Sequence, residues 1–293
     1  MNFENFKIYA TLTFVSLLYG INYSVLKIIV PEFVGPYGLI VIRVLISSMV
    51  FWIIYAFKPE KIEWKADGVR LFLCALTGAG LNMLLFFKGI SLTSAVNGSI
   101  IMTLTPVLVL VWASILIKEK ITFVKIAGIA VGMIGALIIF YQPEALITSG
   151  NWIGDILVFL NALVYGAYLV MIKPLMKKYK PITVATWVFT IAIVIVVPVG
   201  FQEALAIDFT NLPMKVWLSM GFAIVFVTVI VYFLNIWTLV RVESSVVGAF
   251  IYLQPVFATL TAILFFDETF SLKHLLAAVF VFAGVWLVTR KSS

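Results

Sequence analysis

The run Ile191-Ala192-Ile193-Val194-Ile195-Val196-Val197 decides the fold, because every one of its seven positions is apolar. A strand of an outer-membrane barrel alternates polar and apolar residues, whereas this run would be apolar on every face of a regular element. A helix satisfies its backbone hydrogen bonds within its own segment, so it can carry such a run through lipid. We therefore predict an all-α integral membrane protein.

The composition of the whole chain agrees with this prediction. Of the 293 residues, 63% are hydrophobic and 11% are charged, and the mean hydropathy is +1.17. So few charged residues cannot cover a soluble surface, which excludes an ordinary soluble domain. The formal net charge of +7 is divided among short basic clusters between apolar blocks, a pattern that argues against nucleic-acid binding.

Ten apolar blocks are long enough to cross a bilayer core of about 30 Å as helices of about 20 residues. The predicted spans are 8–30, 36–57, 69–90, 95–117, 121–141, 152–173, 181–201, 215–239, 245–266 and 271–289. They leave little chain for loops, so we expect no domain outside the membrane. The first block is too long for a signal-peptide core, and we interpret it as a retained anchor.

Basic residues are distributed unequally between the two sets of alternate loops. The set that includes both termini holds 15 of the 20 Lys and Arg residues, and the other set holds 3. Lys27 and Arg43 lie within spans. Because loops on the cytoplasmic side carry an excess of Lys and Arg, we predict a protein of the cell (inner or plasma) membrane with both termini in the cytoplasm.

Residues that are not apolar recur in the same order in the two halves of the chain. Leu104-Thr105-Pro106-Val107 recurs as Leu253-Gln254-Pro255-Val256, and Tyr19-Gly20 recurs as Tyr165-Gly166. We predict two five-helix repeats, residues 1–145 and residues 146–293. Since five is an odd number, the second repeat must enter the membrane from the opposite side, which is the inverted arrangement of alternating-access carriers.

This order of residues resembles the EamA-type branch of the drug/metabolite transporter superfamily over residues of about 8–289. The likeness rests on Pro36 before Arg43, the run from Ala95 through Pro106 to Glu119, the series Gly128, Gly132 and Gly135, and the recurrence at Pro255 and Glu268. The resemblance implies ten helices in two inverted halves around a central cavity. It also implies secondary transport, by export or facilitated exchange, of small metabolites such as amino acids or their relatives.

Polar side chains inside lipid must be paired or line water, so they indicate the transport path. The candidate substrate-binding residues are Tyr19, Asn22, Tyr23, Arg43, Asn82, Thr103, Tyr165, Tyr168, Trp237, Tyr252 and Gln254. Ser16, Tyr19 and Tyr23 share one helix face, and Asn161, Tyr165 and Tyr168 repeat the pattern. The alternative is that these tyrosines only satisfy neighbouring helices and that the asparagines only bridge them.

Arg43 lies seven residues into the second span, about 10 Å below the membrane surface. An arginine at this depth costs several kcal/mol unless it finds a partner or reaches the surface. Three interpretations are open. Arg43 binds a substrate carboxylate, pairs with Glu32 or Asp155, or extends its stem to the surface. The second half has Val188 at the matching position, so any role of Arg43 belongs to one half only.

Pro106 and Pro255 lie within the fourth and ninth spans. A proline there removes one backbone donor and releases the carbonyl four residues earlier, at Met102 and Ile251 respectively. Because the prolines are matched in both halves, we predict a hinge at each, with a purely structural kink as the alternative.

Two further sets of residues have structural interpretations. Glu119 and Glu268 fall at helix ends, where capping or bracing of loops is expected, with coupling as the alternative. The glycine series Gly128, Gly132 and Gly135 permits close helix contact within one subunit, with a weak homodimer as the alternative.

Several kinds of motif are absent from the sequence. It has no GxxxxGK[ST] loop for ATP and no HExxH motif, and Cys74 and His274 are single residues of their kind. We expect no cofactor, no metal and no enzymatic activity, and as partners only a small-molecule substrate and the bilayer. The alternative is a membrane-embedded enzyme or scaffold for lipid-linked substrates. No Asp or Glu falls in the middle of a span, which predicts flux without proton coupling.

Overall fold

The computed structural model describes residues 3–30, 32–93, 98, 101–140, 152–265 and 272–289. Every regular element within these ranges is helical. Eight helical stretches among the described residues are long and apolar enough to cross a membrane, and three of them, Trp64–Leu92, Met214–Leu239 and Ser244–Phe265, consist of consecutive shorter elements. Thr105–Ile117 and Phe123–Ile139 are shorter apolar helices. The predicted all-α membrane architecture is therefore confirmed.

The helices follow the predicted apolar blocks closely. They are α1 Phe3–Ile29, α2 Pro36–Ala56, α3 Trp64–Ala75, α4 Leu81–Leu92, α5 Thr105–Ile117, α6 Phe123–Phe140, α7 Trp152–Met176, α8 Pro181–Leu205, α9 Met214–Ile224, α10 Val231–Leu239, α11 Ser244–Phe250, α12 Leu253–Phe265 and α13 Leu272–Thr289. Two π-helical segments, Leu76–Gly80 and Val225–Ile230, join α3 to α4 and α9 to α10. The sequence did not predict these two interruptions of the third and eighth spans.

The outer surface of the bundle carries large apolar side chains. Met49 is 65% exposed, Val194 is 74% exposed and Leu218 is 68% exposed. A soluble protein rarely exposes so many such side chains together, whereas lipid solvates them. These surfaces fit a bilayer.

Helices α2 and α8 begin at prolines, which suit the first helical turn because they need no donor there. The free N–H groups of Tyr37 and Gly38 on α2 donate to the carboxylate of Glu203 at 2.7 and 3.1 Å. At the other end of the pair, the Lys180 N–H and the Thr183 hydroxyl donate to Glu60 at 2.9 and 2.8 Å. The two helices thus pack together with a carboxylate at the start of each.

Glycines bring the backbones of α6 and α13 into direct contact. A Cβ atom on Gly284 would lie 2.4 Å from the Gly132 nitrogen and 2.6 Å from the Gly128 oxygen. A Cβ atom on Gly135 would lie 2.7 Å from the Val281 nitrogen. The glycine series therefore packs within the chain, as its main interpretation expected.

The segments that contain Pro106 and Pro255 are both interrupted just before the proline. Thr103 and Leu104 form a turn ahead of α5, and Ile251 and Tyr252 form a turn between α11 and α12. The Ile251 carbonyl, which Pro255 releases, accepts the N–H of Gln254 at 3.0 Å. This carbonyl is therefore paired again within the backbone.

Candidate functional site

A cavity of about 110 Å³ lies inside the bundle, between helices of the first and second halves of the chain. One buried water needs roughly 10–15 Å³, so the cavity has room for several waters or a small organic molecule. Six of the predicted substrate-binding residues line it: Tyr19, Asn22, Arg43, Asn82, Tyr165 and Gln254.

Sequence reasoning did not predict the apolar side chains of this lining, although it named Met102 and Ile251 for their backbone carbonyls. It consists of Leu26, Met83, Phe86, Phe87, Met102, Val227 and Ile251. In a chain that is apolar almost throughout, no sequence signal distinguishes an apolar residue that lines a cavity from one that contacts lipid.

Tyr232 also lines the cavity and was missed by the sequence prediction. Its hydroxyl donates to the Gly78 carbonyl at 2.7 Å, which ties α10 to the first π-helical segment. A signal was present, because Tyr232 precedes Asn235 by three residues and therefore shares its helix face.

Two of the predicted binding tyrosines pack against glycines and do not line the cavity. Tyr168 and Tyr252 are 2% and 1% exposed. A Cβ atom on Gly78 would lie 2.3 Å from the Tyr168 ring, and one on Gly132 would lie 2.6 Å from the Tyr252 ring. In this structure each ring fills the space beside a glycine that has no side chain, in line with the alternative interpretation of these tyrosines as packing residues.

Three further predicted residues are not among the described lining residues of the cavity. Thr103 is buried, 4% exposed, in the turn before α5. The Trp237 ring stacks under the Arg241 guanidinium, 3.9 Å from its carbon, near the end of α10. The side chain of Tyr23 and the whole of Glu268 lie outside the described part of the chain.

Arg43 is 5% exposed, so its side chain does not extend to the surface. Its Nε donates to the Thr228 hydroxyl at 3.0 Å, and that hydroxyl donates to the Ala223 carbonyl at 2.8 Å. Among the described residues no carboxylate forms an ion pair with Arg43. Asp155 instead accepts a hydrogen bond from the Thr93 hydroxyl. The surface and ion-pair interpretations are therefore wrong, and Arg43 remains a buried cation at the cavity.

The position of Thr228 in the second π-helical segment explains its contact with Arg43. In a π-helix the backbone bonds run from residue i to i+5, so one turn is wider than in an α-helix. The Thr228 hydroxyl reaches the Ala223 carbonyl five residues earlier and still accepts the Arg43 N–H. Such segments occur often at functional sites.

A second, smaller cavity of about 10 Å³ has room for about one water. It shares Tyr19, Tyr165, Ile251 and Gln254 with the first cavity, and Asn235 also lines it. The Tyr19 hydroxyl interacts with Tyr165 and with the Asn235 side chain. Tyr19 and Tyr165, the matched tyrosines of the sequence, therefore stand between the two cavities.

The start of α1 and the end of α13 lie at one end of the bundle, where the Tyr9 hydroxyl donates to the Thr289 carbonyl at 3.4 Å, and we call this the terminal end. A network around Glu119, whose side chain is 5% exposed, lies at the terminal end, where α6 begins beside the end of α13. Glu119 accepts from the Ser244 N–H at 3.2 Å and from the Ser245 hydroxyl, and it pairs with Lys125 at 3.2 Å. The carboxylate thus caps α11, in agreement with the capping interpretation.

The backbone at the end of α5 places Glu119 in this network. Lys118 adopts the left-handed conformation with a φ of 54°, and the Glu119 N–H donates to the Ala113 carbonyl at 3.0 Å. A second polar cluster at the terminal end joins Lys178 to Glu63 and Asp67 at 2.6 and 2.7 Å. These two carboxylates raise the pKa of Lys178 above its ordinary value, Asp67 more than Glu63.

Apolar helices that enclose a cavity with polar groups on its lining are typical of multi-pass membrane transporters. The sequence matches the EamA-like transporter family over residues 7–141 and 152–290, and the chain belongs to this family.

Similar proteins cover nearly the whole chain. An uncharacterized transporter of Archaeoglobus fulgidus is 25% identical over 98% of this chain and 99% of its own length. The uncharacterized transporter YyaM of Bacillus subtilis is 27% identical over 96% of this chain and 93% of its own. A probable terminal-alkyne amino-acid exporter of Streptantibioticus cattleyicolor is 24% identical over 88% of this chain and 85% of its own length. These names point to transport as the function.

The fold also matches a solved crystal structure with a TM-score of 0.76. The match covers 97% of this chain and 96% of that chain at 15% sequence identity. At this identity the likeness concerns the fold alone.

Proposed function

We propose that the protein is a secondary carrier, an exporter or facilitator, for small metabolites that bear a carboxylate, namely amino acids or related compounds. The single observation that carries this proposal is Arg43, a buried cation that lines the cavity without a carboxylate partner among the described residues. The printed name of the Streptantibioticus cattleyicolor relative, an amino-acid exporter, agrees with this substrate class.

The chemistry of the guanidinium favours a carboxylate. It has five N–H donors, of which Nε is used by Thr228. Burial of an unpaired charge costs free energy. A carboxylate can accept two parallel hydrogen bonds from the two terminal nitrogens of the guanidinium, which would pair this charge. Tyr19, Tyr165 and Tyr232 supply neighbouring rings and hydroxyls for the rest of a small solute.

Residues 1–145 and 146–293 form two inverted five-helix repeats in this proposal, which gives ten spans. Helix contacts that recur in the two halves support this proposal, with α1 in the first half corresponding to α7 in the second. The contact of α1 with α9 and α10 corresponds to the contact of α7 with α4. The contact of α1 with α12 corresponds to the contact of α7 with α5. Gly20 contacts Phe257 in α12, and Gly166 contacts Val109 in α5. The π-helical segments begin 149 residues apart, at Leu76 and Val225, which is the spacing of Pro106 and Pro255.

Alternating access follows from this symmetry, because a carrier of inverted repeats exposes its central site to one side at a time. The excess of basic residues on the terminal-end loops supports a cytoplasmic location for both termini in the cell membrane.

The experiment that tests the function is flux into proteoliposomes that contain the purified protein. We expect labelled amino acids to move down their gradient and to exchange with unlabelled substrate inside, with no accumulation driven by an imposed pH gradient. Liposomes without protein are the control. Failure of every amino acid and related carboxylate to move would contradict the carrier, and proton-driven accumulation would contradict the uncoupled cycle.

The interruptions before Pro106 and Pro255 support their role as hinges. Replacement of either proline by alanine restores a backbone donor, which should extend α5 or α12 backward and resist bending. We expect substrate exchange to slow several-fold while the thermal midpoint in detergent stays equal or rises. Pro198, inside α8, is the matched control, since it lies at no such interruption. Wild-type exchange rates in both hinge variants would leave the prolines as structural kinks.

A further inference from the structure

Two of the residues that line the cavity each have a buried side-chain oxygen without a hydrogen-bond partner. These oxygens are the amide oxygens of Asn22 on α1 and Asn161 on α7, and neither has a donor in the described part of the chain. Asn22 is 8% exposed and Asn161 is 2% exposed, and both line the larger cavity. A buried acceptor without a donor is uncommon in a native protein and costs free energy, so each oxygen calls for an explanation.

The orientation of the Asn161 amide is fixed by its other end. Its Nδ2 donates to the backbone carbonyl of Asn82 on α4 at 2.7 Å. A carbonyl can only accept, so the nitrogen must face Asn82, and the oxygen is left as the free atom. The bond between α4 and α7 therefore holds this acceptor in place before any ligand arrives.

The charge of the cavity limits what can occupy these acceptors. Among the described lining residues the only charged side chain is Arg43, and it is positive. A ligand with positive charge alone would be repelled, whereas a ligand with both charges can place its carboxylate at Arg43. The positive group of this ligand then needs hydrogen-bond acceptors, and the two neutral amide oxygens are such acceptors.

We infer that Asn22 and Asn161 recognise the protonated amine of a zwitterionic substrate whose carboxylate binds Arg43. This inference rests on the proposed function and restricts its substrates from carboxylates in general to amino acids with a free amine. An ammonium group has three N–H donors and can satisfy both oxygens at once. A hydroxyl has one, so the corresponding 2-hydroxy acid leaves at least one oxygen without a donor.

The test uses matched pairs of probes on the purified protein. A panel of 2-amino acids and the 2-hydroxy acids with the same side chains is measured for binding and for proteoliposome flux. We expect the amino acid of each pair that binds to do so about tenfold or more tightly than its hydroxy acid, as hydrogen bonds to a charged donor predict. Acetylation of the amine should abolish the advantage.

Variants assign the preference to the two asparagines. Asn22→Leu keeps a similar volume without the acceptor and should reduce the amino-over-hydroxy preference about tenfold, whereas Asn22→Asp keeps an acceptor and should keep the preference. Ser47→Ala is the matched control, because the Ser47 hydroxyl is also buried and unpaired but does not line the cavity. It should leave the preference unchanged.

The outcomes separate this inference from the proposed function. If hydroxy acids bind and are transported as well as amino acids, the proposed carrier function is supported and the inferred amine site is wrong. Water would then be the donor to the two amide oxygens. If amino acids keep their preference in Asn22→Leu and in Asn161→Leu, the asparagines are not the amine site. If no probe of either series moves, the carrier itself is wrong.

Discussion

Replacement of Arg43 by glutamine is expected to weaken binding of carboxylate substrates by about 2 kcal/mol or more, which is about 30-fold in affinity. The physical reason is the loss of a charge-assisted pair in a buried cavity, where water does not compensate. Binding of each acid and of its amide is measured on the purified protein. The amide should bind almost equally to the variant and the wild type, because it presents no charge to the guanidinium.

Stability separates binding from structure at this position. Arg43 is buried without an ionic partner among the described residues, so its removal should not lower the thermal midpoint of the substrate-free protein. Arg43→Lys keeps the charge but not the planar fork, and it should recover only part of the affinity. Arg241→Gln is the matched control, since that arginine is exposed and stacks on Trp237. Equal losses for acid and amide would assign Arg43 to structure.

Replacement of Gly284 by alanine is expected to destabilise the fold by about 1–3 kcal/mol through overpacking between α6 and α13. The added Cβ would lie 2.4 Å from the Gly132 nitrogen and 2.6 Å from the Gly128 oxygen. Both are backbone atoms, so the whole helix must shift. The thermal midpoint in detergent should fall by several degrees, given a shift of roughly 2–4 °C per kcal/mol in a chain of this size.

Gly221 provides the matched control for Gly284. It also lies within a helix, α9, but apart from the adjacent backbone of that helix no atom of the described residues lies within 4 Å of the position of an added Cβ. Gly221→Ala should therefore leave the thermal midpoint unchanged or raise it, because alanine favours a helix by about 0.5–1 kcal/mol. Equal midpoints for the two alanine variants would show that α6 and α13 adapt without cost.

Prediction from the sequence was most accurate where the decisive property is local. Hydropathy over about 20 residues depends only on which residues are consecutive, and the predicted starts 36, 152 and 181 coincide with the first residues of α2, α7 and α8. The interruptions of the helices differ in whether the sequence predicts them. Those before Pro106 and Pro255 have a sequence signal in the proline, whereas the π-helical segments have none that we recognised.

The candidate site depended more on the tertiary structure. Tyr19 and Tyr165 line the cavity, while Tyr168, three residues after Tyr165, packs against Gly78. In the sequence these tyrosines are equivalent, because each is a polar aromatic residue within an apolar helix. The rotation of each helix about its own axis decides which one meets the cavity, and packing against distant helices sets that rotation.

The sequence by itself determined that this chain is an all-α membrane protein, which apolar blocks form its helices, and which few polar residues are candidates for the site. Only the tertiary structure decided that Arg43 donates to Thr228, 185 positions away, and that Asn22 and Asn161, whose amide oxygens lack a donor among the described residues, line the same cavity. The physical reason is that lipid selects for apolar residues segment by segment, whereas a binding site is made by contacts between segments. Such contacts leave almost no trace in a sequence in which nearly every neighbour is equally apolar.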